Sequence, residues 1–405
     1  MTEITLRIEA MGRRGEGAAH HAGRAVFVPG TLPGEQVRAT GEGERLALME
    51  LEQASPERAA PFCPHYGRCG GCQLQHWQEE PYRAWKASLV AAALAGRGIE
   101  TRVSEVIDAH GAGRRRVSLH VRRLDGTVTA GFMEPRSHAL IDIGRCPILE
   151  PALAPAFDIG RALGTKLGDC DVAVTSTMTG LDVSVRAERK ILAREHGHLA
   201  GFVSTLKLAR LSVNGEVIAT AAPPRLKLGK AEVALPPGGF LQATLLGEET
   251  LAQLVLDAVG KARHVADLFC GVGPFAFRLA ERAKVDAFDN DRAAITALDA
   301  AARTTPGLKP VTAETRDLFR APLVPNEMKH IDAVVFDPPR AGAEAQARQL
   351  VRSGVKTVVA VSCDAGSFAR DAAILVEGGY ALKRVTAVDQ FKWSSHVEIV
   401  AQFTR

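Results

Sequence analysis

The stretch Val265-Ala-Asp-Leu-Phe-Cys-Gly-Val-Gly-Pro-Phe275 decides the fold of this chain. It begins as an apolar run of β type, turns through Gly271 and Gly273, and reaches Pro274, which suits the first turn of a helix. A strand, a glycine turn and a helix in this order open the ligand-binding half of a doubly wound α/β sheet. The glycines allow a ligand to approach the backbone amides of the turn closely.

A regular alternation surrounds this stretch and continues to residue 405. The apolar runs cover 264–269, 284–289, 331–336 and 357–362, and the alanine-rich helical stretches between and after them cover 275–283, 291–303, 343–353 and 366–377. Alternation of this kind predicts a parallel, doubly wound sheet with helices on both faces. We therefore assign residues 261–405 to a Rossmann-like α/β domain.

The first 260 residues predict two further units. Residues 1–53 carry short alternating apolar runs separated by frequent glycines, which is typical of a small OB-like β-barrel, a fold that often binds oligonucleotides. Residues 54–260 are expected to form a central α+β domain. It would contain a cysteine-rich loop at 54–76, a helix at 80–96 and a hairpin that turns at Asp125-Gly126.

Composition narrows the class of protein. A chain of 405 residues is long enough for two to three domains. The N-terminus has no apolar signal segment and no stretch approaches the ~20 apolar residues of a membrane span, which predicts a cytoplasmic protein without membrane contact. The seven cysteines are an odd number, and in a reducing compartment metal binding or catalysis explains them better than disulfides.

The distribution of positive charge is more informative than the net charge of +4. Nine arginines lie within residues 97–145: Arg97, Arg102, Arg114, Arg115, Arg116, Arg122, Arg123, Arg136 and Arg145. Clustered arginines can neutralise the phosphates of a nucleic acid. The alternative is a solvated face of a sheet.

Three thiols share one glycine-rich loop, in Cys63-Pro-His-Tyr-Gly-Arg-Cys69-Gly-Gly-Cys72. Three thiolates need a fourth ligand for a tetrahedral zinc or for an iron–sulfur cluster, and Cys146 is the best candidate because Cys-Pro recurs at cluster ligands. The spacing favours iron–sulfur. Zinc stays open, with His65 or His76 as the alternative fourth ligand.

The glycine turn favours S-adenosylmethionine over a dinucleotide. The turn lacks the third glycine of the dinucleotide fingerprint, and S-adenosylmethionine carries no phosphate. Asp289 ends the next run roughly 20 residues on, where a carboxylate can accept both ribose hydroxyls. Asp267 lies in register with Asp289. Asp317 is a candidate acceptor for the adenine amino group. Cys270 is expected to be a core residue.

Two further runs end in reactive side chains. Val358-Val-Ala-Val-Ser-Cys363 ends in a thiol, and an upstream run ends in Asp337-Pro-Pro-Arg340. Uracil C5 becomes nucleophilic only after a thiolate adds at C6, and a base must later remove the C5 proton. Cys363 can be that nucleophile and Glu398, in the terminal run, can be that base. The alternative for Cys363 is a small buried hydrophobe, the usual role of a lone cysteine after an apolar run. The alternative for Glu398 is an ordinary exposed carboxylate on a strand.

Five motifs resemble the RNA uracil-C5 methyltransferase family, and most closely its 23S rRNA branch, which joins a TRAM barrel to a [4Fe-4S] cluster. They are Phe27-Val-Pro-Gly-Thr-Leu-Pro-Gly-Glu35, Cys69-Gly-Gly-Cys72-x-x-Gln75-His76, Phe240-Leu-Gln242, Ser362-Cys363-Asp364 and His396-Val-Glu398. The resemblance covers essentially the whole chain. It implies a TRAM barrel at 1–53, a cluster-bearing central domain at 54–260 and a class I methyltransferase domain at 261–405.

The resemblance also implies roles for single residues. Cys363 would be the nucleophile and Glu398 the base, acting as a monomer on a flipped-out or single-stranded uridine of RNA, most closely 23S rRNA. The [4Fe-4S] ligands would be Cys63, Cys69, Cys72 and Cys146. The contacts to S-adenosylmethionine would be made by Gln242, Phe269, Gly271, Gly273, Asp289, Asp317 and Asp337.

Three positions depart from the family pattern. Pro274 replaces an asparagine, Asp289 replaces the longer glutamate, and Asp364-Ala365 stands where Asn-Pro is typical. These changes are expected to affect cofactor affinity and the rigidity of the loop that holds Cys363. Alternative functions are a tRNA uracil-C5 methyltransferase, a non-catalytic RNA-binding iron–sulfur protein and a methyltransferase of base nitrogens, which needs no thiol.

Overall fold

The structure is a computed structural model that describes residues 3–104, 106–124 and 126–405. Asp125, half of the predicted hairpin turn, lies outside the described residues. Its neighbour Gly126 has a φ of 80°, the left-handed conformation that such a turn requires. None of the helices in these three ranges combines the length and apolar character that a membrane crossing needs.

The N-terminal unit is all-β, as predicted. Two three-stranded antiparallel sheets, ordered β1-β5-β6 and β2-β3-β4, enclose a small core that includes Leu6, Val28 and Val37. The strands are β1 (Glu3–Arg7), β2 (Ala10–Met11), β3 (Glu16–His21), β4 (Arg24–Pro29), β5 (Gln36–Thr40) and β6 (Ala47–Gln53). The fully buried Glu35 accepts two hydrogen bonds from Arg58, both at 2.7 Å, which ties this unit to the loop that follows.

The central region contains helix α1 and a seven-stranded sheet, as the α+β prediction requires. Its elements are α1 (Glu79–Ala95), β7 (Ile107–Asp108), β8 (Arg116–Leu124), β9 (Thr127–Met133), β10 (Leu140–Asp142), α2 (Ala156–Leu167), β11 (Cys170–Thr177), β12 (Gly180–Ala187), α3 (His196–Thr205), β13 (Leu208–Val213), β14 (Glu216–Thr220), β15 (Arg225–Leu228), β16 (Ala231–Ala234) and α4 (Leu245–Val259). The sheet order is β10-β9-β8-β11-β12-β13-β14. The loop at 54–76 contains no helix or strand.

The C-terminal region is the doubly wound α/β domain that the alternation predicts. Its elements are β17 (His264–Leu268), α5 (Ala276–Ala280), β18 (Lys284–Asp289), α6 (Arg292–Thr304), β19 (Val311–Thr315), β20 (Ala333–Phe336), α7 (Glu344–Arg352), β21 (Thr357–Ser362), α8 (Ala365–Glu377), β22 (Ala381–Asp389) and β23 (Glu398–Thr404). All four predicted strands and all four predicted helices are present. The sheet order is β19-β18-β17-β20-β21-β23-β22-β7.

Two features of this sheet differ from the prediction. The strands β7, β19 and β22 lie outside the predicted runs; in the edge strand β19, three of the five residues of Val-Thr-Ala-Glu-Thr are polar and no residue is fully buried. The sheet is also not wholly parallel, since β23 runs antiparallel to both β21 and β22. A loop of only eight residues, 390–397, joins β22 to β23, and a connection this short requires antiparallel neighbours.

Two helices that the predicted domain limits assign to the central region pack on the C-terminal sheet. Val90 and Leu94 of α1 share a core with Val358 of β21. Leu251 and Val255 of α4 belong to the core on the other face. The limits at residues 53 and 260 stay a prediction, and hydrophobic packing continues across the second of them.

A buried ion pair anchors α1 to the loop between β22 and β23. The Nζ atom of the fully buried Lys86 lies 2.5 Å from Asp389 Oδ1 and donates to the carbonyl of His396 at 2.7 Å. The Tyr82 hydroxyl donates to the other oxygen of Asp389 at 2.7 Å. Helix α1 therefore determines where the 390–397 loop lies.

Replacing Lys86 with methionine is expected to lower the free energy of unfolding by roughly 3–5 kcal/mol, because it leaves the Asp389 charge buried without its partner. Urea denaturation followed by tryptophan fluorescence measures the change. Arg161→Met is the control. It removes partly exposed ion pairs with Asp142 and Asp158, which contribute under about 1 kcal/mol. Equal losses in both variants would contradict the assigned role.

Candidate functional site

Three predicted site residues meet at one edge of the C-terminal sheet. Asp337 follows β20 and Cys363 follows β21, so both lie beyond carboxyl ends of parallel strands. Glu398 begins the antiparallel β23. Because Ser362 pairs with Ile399, Glu398 lies on the neighbouring strand at the level of Cys363.

The electrostatics of this edge are dominated by burial. Burial raises the pKa of the half-buried Cys363 thiol to about 11, and the charges of Glu398 and Asp337 act in the same direction. Arg340 opposes them. Cys363 is thus not enclosed in hydrocarbon, which the packing alternative requires, but its thiolate form needs a compensating positive charge.

Glu398 is a buried carboxyl group with one occupied and one free oxygen. Its Oε1 atom accepts a hydrogen bond from Gln390 Nε2 at 3.1 Å, and within the described part of the chain its buried Oε2 atom has no hydrogen-bond partner. Burial, followed by the charge of Asp337, raises the pKa of Glu398 to about 8. An exposed strand carboxylate would show neither property.

A chain of side-chain amides joins Asp337 to Glu398. Gln242 Nε2 donates to Asp337 Oδ2 at 3.0 Å, and Gln390 Nε2 donates to Gln242 Oε1 at 2.7 Å and to Glu398. Burial raises the pKa of Asp337 to about 7, and the bond from Gln242 opposes that shift. Gln390 was missed by the sequence analysis, since only its place in the loop before Glu398 could have suggested it.

The glycine turn after β17 has the backbone conformation that its residues predict. Gly271 and Gly273 have positive φ of 52° and 91°. A Cβ atom on Gly273 would lie 2.9 Å from the Leu298 side chain, so this position has no room for one. The amide of Gly271 donates to Asp289 Oδ2 at 2.8 Å, which places the carboxylate at the end of β18 directly beside the turn.

An aromatic pair borders the same turn. Phe269, which follows β17, is a non-glycine residue with a positive φ of 61°, and its ring lies 5.4 Å from that of Phe319. Phe319 is 43% exposed. Asp317, two residues earlier, accepts hydrogen bonds from the backbone amides of Phe319 and Arg320 at 3.0 and 3.3 Å. Phe319 was not among the predicted residues, because β19 was not recognised.

The four predicted thiols line one cavity of about 430 Å³, although Cys146 is far from the others in sequence. All four are partly buried. Burial raises the pKa of Cys72 to about 11 and that of Cys146 to about 12, and the neighbouring thiols add to both shifts. Thiolates are the form that binds a metal, so a bound cation would offset these raised pKa values.

A single zinc would need three of these sulfurs closer together than they lie. In a zinc tetrahedron with ~2.3 Å bonds, the sulfurs lie roughly 3.8 Å apart. Within the described ranges, the one group of three potential ligands whose atoms all lie within 4.8 Å is His264, Asp286 and His330, outside this cavity. His65 lines the cavity, whereas His76 Nδ1 is hydrogen-bonded to the Tyr66 hydroxyl.

The 62–74 loop, which carries three of the four thiols and is called the thiol loop below, contacts both segments that carry the linked side-chain amides of Gln242 and Gln390. Phe240, Leu241 and Ala243, which flank Gln242, line the thiol cavity. The amides of Gln73 and Leu74 donate to the carbonyl of Trp393 at 2.8 and 3.1 Å, in the 390–397 loop. The cavity therefore lies next to the candidate active site, despite the distance in sequence.

Several of the clustered arginines are occupied by intramolecular contacts. The buried Arg115 pairs with Glu248 at 2.6 Å, Arg122 pairs with Asp171 at 3.3 Å, and Arg136 pairs with Glu16. Arg114 and Arg116 line the thiol cavity. Neither interpretation of the arginine set, phosphate binding or a solvated face of a sheet, holds for Arg115, which is buried and paired with Glu248 of α4.

Comparison with known proteins defines the class. The family model described as tRNA (Uracil-5-)-methyltransferase matches residues 239–405, and the TRAM domain model matches residues 2–40. A Brucella suis protein named as an RNA methyltransferase is 48% identical over 100% of this chain and 98% of its own length. The 23S rRNA (uracil(1939)-C(5))-methyltransferase of Chromohalobacter salexigens is 36% identical over 99% of this chain and 89% of its own.

The crystal structure of the Pyrococcus abyssi tRNA (uracil-54, C5)-methyltransferase in complex with S-adenosyl-L-homocysteine has the same fold. Its TM-score is 0.75 over 99% of both chains, at 21% identity. The chain is thus an RNA methyltransferase with an N-terminal TRAM domain. It belongs to the RNA uracil-5-methyltransferase family, which confirms the resemblance drawn from its five motifs.

Proposed function

We propose that this protein transfers a methyl group from S-adenosylmethionine to C5 of a uridine in 23S rRNA. The observation that carries the proposal is the convergence of Cys363, Glu398 and Asp337 at the carboxyl end of the sheet, where β20 pairs with β17, the strand that leads into the Gly271 turn. The rRNA target is supported by the Chromohalobacter salexigens relative. A tRNA target is the second candidate. The protein is also proposed to act as a monomer, since Cys363, Glu398 and Asp337 already meet within a single chain.

The methyl donor is proposed to lie along the carboxyl ends of β17, β18 and β19. Asp289 would bind the ribose hydroxyls, since each carboxylate oxygen has a second lone pair beyond the backbone bonds that it already accepts. Phe269 and Phe319 would contact the adenine ring, with Asp317 near its amino group. Gln242 would be at the methionine end of the donor, next to Asp337.

The chain's own residues can carry out each protein step of the reaction. The Cys363 thiolate adds to C6 of the flipped-out uracil, and the C5–C6 electron pair becomes an enolate that Asp337 helps to orient. S-adenosylmethionine supplies the electrophilic methyl group, which becomes bonded to C5 as its bond to sulfur breaks, and S-adenosylhomocysteine is left. Glu398 then takes the C5 proton, the C5–H electron pair restores the C5–C6 double bond, and the C6–S bond breaks to release Cys363.

A methyl-transfer assay tests this proposal. The protein is incubated with isotopically labelled S-adenosylmethionine and either 23S rRNA or tRNA, and the RNA is digested to nucleosides and analysed by mass spectrometry. Label is expected in 5-methyluridine from 23S rRNA. Label in 5-methyluridine from tRNA alone would establish the second target. Label on a base nitrogen, or no transfer with RNA bound, would refute the proposal.

We further propose that Cys63, Cys69, Cys72 and Cys146 hold a [4Fe-4S] cluster. Support comes from the cavity volume and from the four thiols that line the cavity. The cluster would supply a covalent link between the 62–74 loop and Cys146. Its proposed role is structural, because the loop contacts the Trp393 carbonyl and the segment around Gln242.

Anaerobically purified protein is therefore expected to contain about four iron atoms and four sulfides per chain. The Cys72→Ser variant is expected to lose this cluster, to be cleaved faster by protease within residues 62–74, and to lose activity. Cys170→Ser, in the core of the central sheet, is the control and is expected to keep its iron. One zinc per chain without sulfide would contradict the cluster assignment.

A further inference from the structure

We propose that Gln390 is a positioning residue for the elimination step. It orients the Glu398 carboxyl group so that one defined oxygen, Oε2, takes the C5 proton, and it joins this base to the donor side through Gln242. The inference rests on the proposed uracil-C5 reaction and assigns a role to a residue outside the three that touch the reacting atoms.

When Asp337 and Glu398 are ionised, the hydrogen bonds around Gln390 have one consistent direction. Its side chain is fully buried, and its Nε2 atom donates to both Gln242 Oε1 and Glu398 Oε1. An amide nitrogen has two hydrogens, so both are used. Gln242 must then present its own NH₂ group to Asp337, where it donates to Oδ2. One amide thereby determines the orientation of the other.

This arrangement gives the two oxygens of Glu398 different surroundings. Oε1 is held by Gln390, whereas the buried Oε2 has no partner among the described residues and is free to accept a proton. The bond to Oε1 also favours the ionised carboxylate, against the burial and the Asp337 charge that disfavour it. Gln390 is thus needed when Glu398 acts as a base, which is after methyl transfer and not before it.

The surroundings of Gln390 leave its side chain little freedom. Its neighbour Asp389 is held by Tyr82 and Lys86 of α1. Gly247 of α4 lies against the amide, and an added Cβ atom there would come within 2.6 Å of Gln390 Oε1. Glycine at this position makes the space that the amide occupies, so α4 confines the side chain while α1 holds the adjacent backbone through Asp389.

The test is Gln390→Met, which keeps an unbranched side chain of similar length and removes both N–H donors. The turnover number is expected to fall roughly ten- to hundredfold, the effect of losing a hydrogen bond to a charged group. KM for RNA is expected to change little. With ordinary RNA, a covalent protein–RNA complex that already carries the methyl group should accumulate and be visible on denaturing gels and by mass spectrometry.

The matched control is Gln346→Met. Gln346 is also fully buried and bonds the backbone of Leu323, but it lies away from the site. This variant is expected to lose stability without accumulating the complex. If Gln390→Met does not fold, Gln390→Asn, which keeps the amide but shortens it by one methylene, gives the same partition between complex and product.

Two results would have different meanings. Turnover of either Gln390 variant at the wild-type rate, with no accumulated complex, would overturn the role of Gln390 and leave the proposed function intact. Failure of the wild-type protein to form any Cys363-dependent complex with 5-fluorouridine RNA would instead refute the proposed function itself.

Discussion

Replacing Cys363 with alanine is expected to lower the rate of RNA methylation by at least about 10⁴-fold, while S-adenosylmethionine binds normally. Without the thiolate, uracil C5 has no enolate form with which to attack the methyl group. The donor contacts proposed for Phe269, Gly271 and Asp289 do not involve the thiol. Labelled methyl transfer measures the rate, and titration calorimetry measures donor binding.

Trapping with 5-fluorouridine RNA isolates the same step. Fluorine at C5 cannot leave as a proton, so the adduct persists in the wild-type protein and is expected to be absent from Cys363→Ala. Cys270→Ala removes a thiol from the core behind the glycine turn and should still trap. If the alanine variant at 363 formed the adduct as well, another nucleophile would have to be sought.

Replacing Glu398 with glutamine is expected to lower the turnover number by roughly 10²- to 10⁴-fold, the usual contribution of a general base. The change is nearly isosteric and affects the last step only. Addition of Cys363 and methyl transfer should proceed, so the methylated covalent complex should accumulate with ordinary RNA. Rapid release of 5-methyluridine RNA by this variant would show that a different group removes the proton.

The pH dependence follows from the pKa of Glu398, which is raised to about 8. The groups that face it are Asp337 after β20, Cys363 after β21 and Gln390. Because the base must be ionised, the elimination rate in single-turnover experiments should rise as the pH increases through about 8. The Glu398→Gln variant should not show this rise of the elimination rate with pH.

The contribution of Glu398 to folding stability should fall as the pH rises, in contrast to the elimination rate. A carboxyl group with a folded-state pKa above its unfolded value of 4.5 contributes stability below 4.5 that is lost as the pH rises through about 8. Glu398→Gln is therefore expected to have a higher Tm than the wild type at pH 9, measured by thermal denaturation. A lower Tm at that pH would mean that the buried charge is better compensated than its surroundings indicate.

Much of the fold could be predicted because its determinants are local. Apolar runs of strand length, separated by alanine-rich stretches, predicted β17, β18, β20 and β21 and the helices between them. The edge strand β19 was missed because an edge strand needs no continuous apolar run. The antiparallel direction of β23 was not predicted, because the direction of a strand depends on the path of the loop that precedes it.

The reactive residues at strand ends could be predicted for the same reason, whereas their electrostatic partners could not. Cys363 and Asp337 follow apolar runs, so a parallel sheet brings them to one edge. Gln390 and Phe319 carry no comparable local pattern. The arginine set shows the reverse error, since charge density along the chain suggested a surface but Arg115 is buried against Glu248.

By itself, then, the sequence determined the class of protein, the sheet with its glycine turn, and the residue types that its chemistry requires. These depend on periodicity and spacing, which are properties of neighbouring residues. Only the tertiary structure decided that the thiol loop lies against the 390–397 loop, that α1 holds this loop through Lys86, and that one amide orients Glu398. The first two of these contacts join residues hundreds of positions apart. They form because burying a polar group is unfavourable unless the fold supplies its partner.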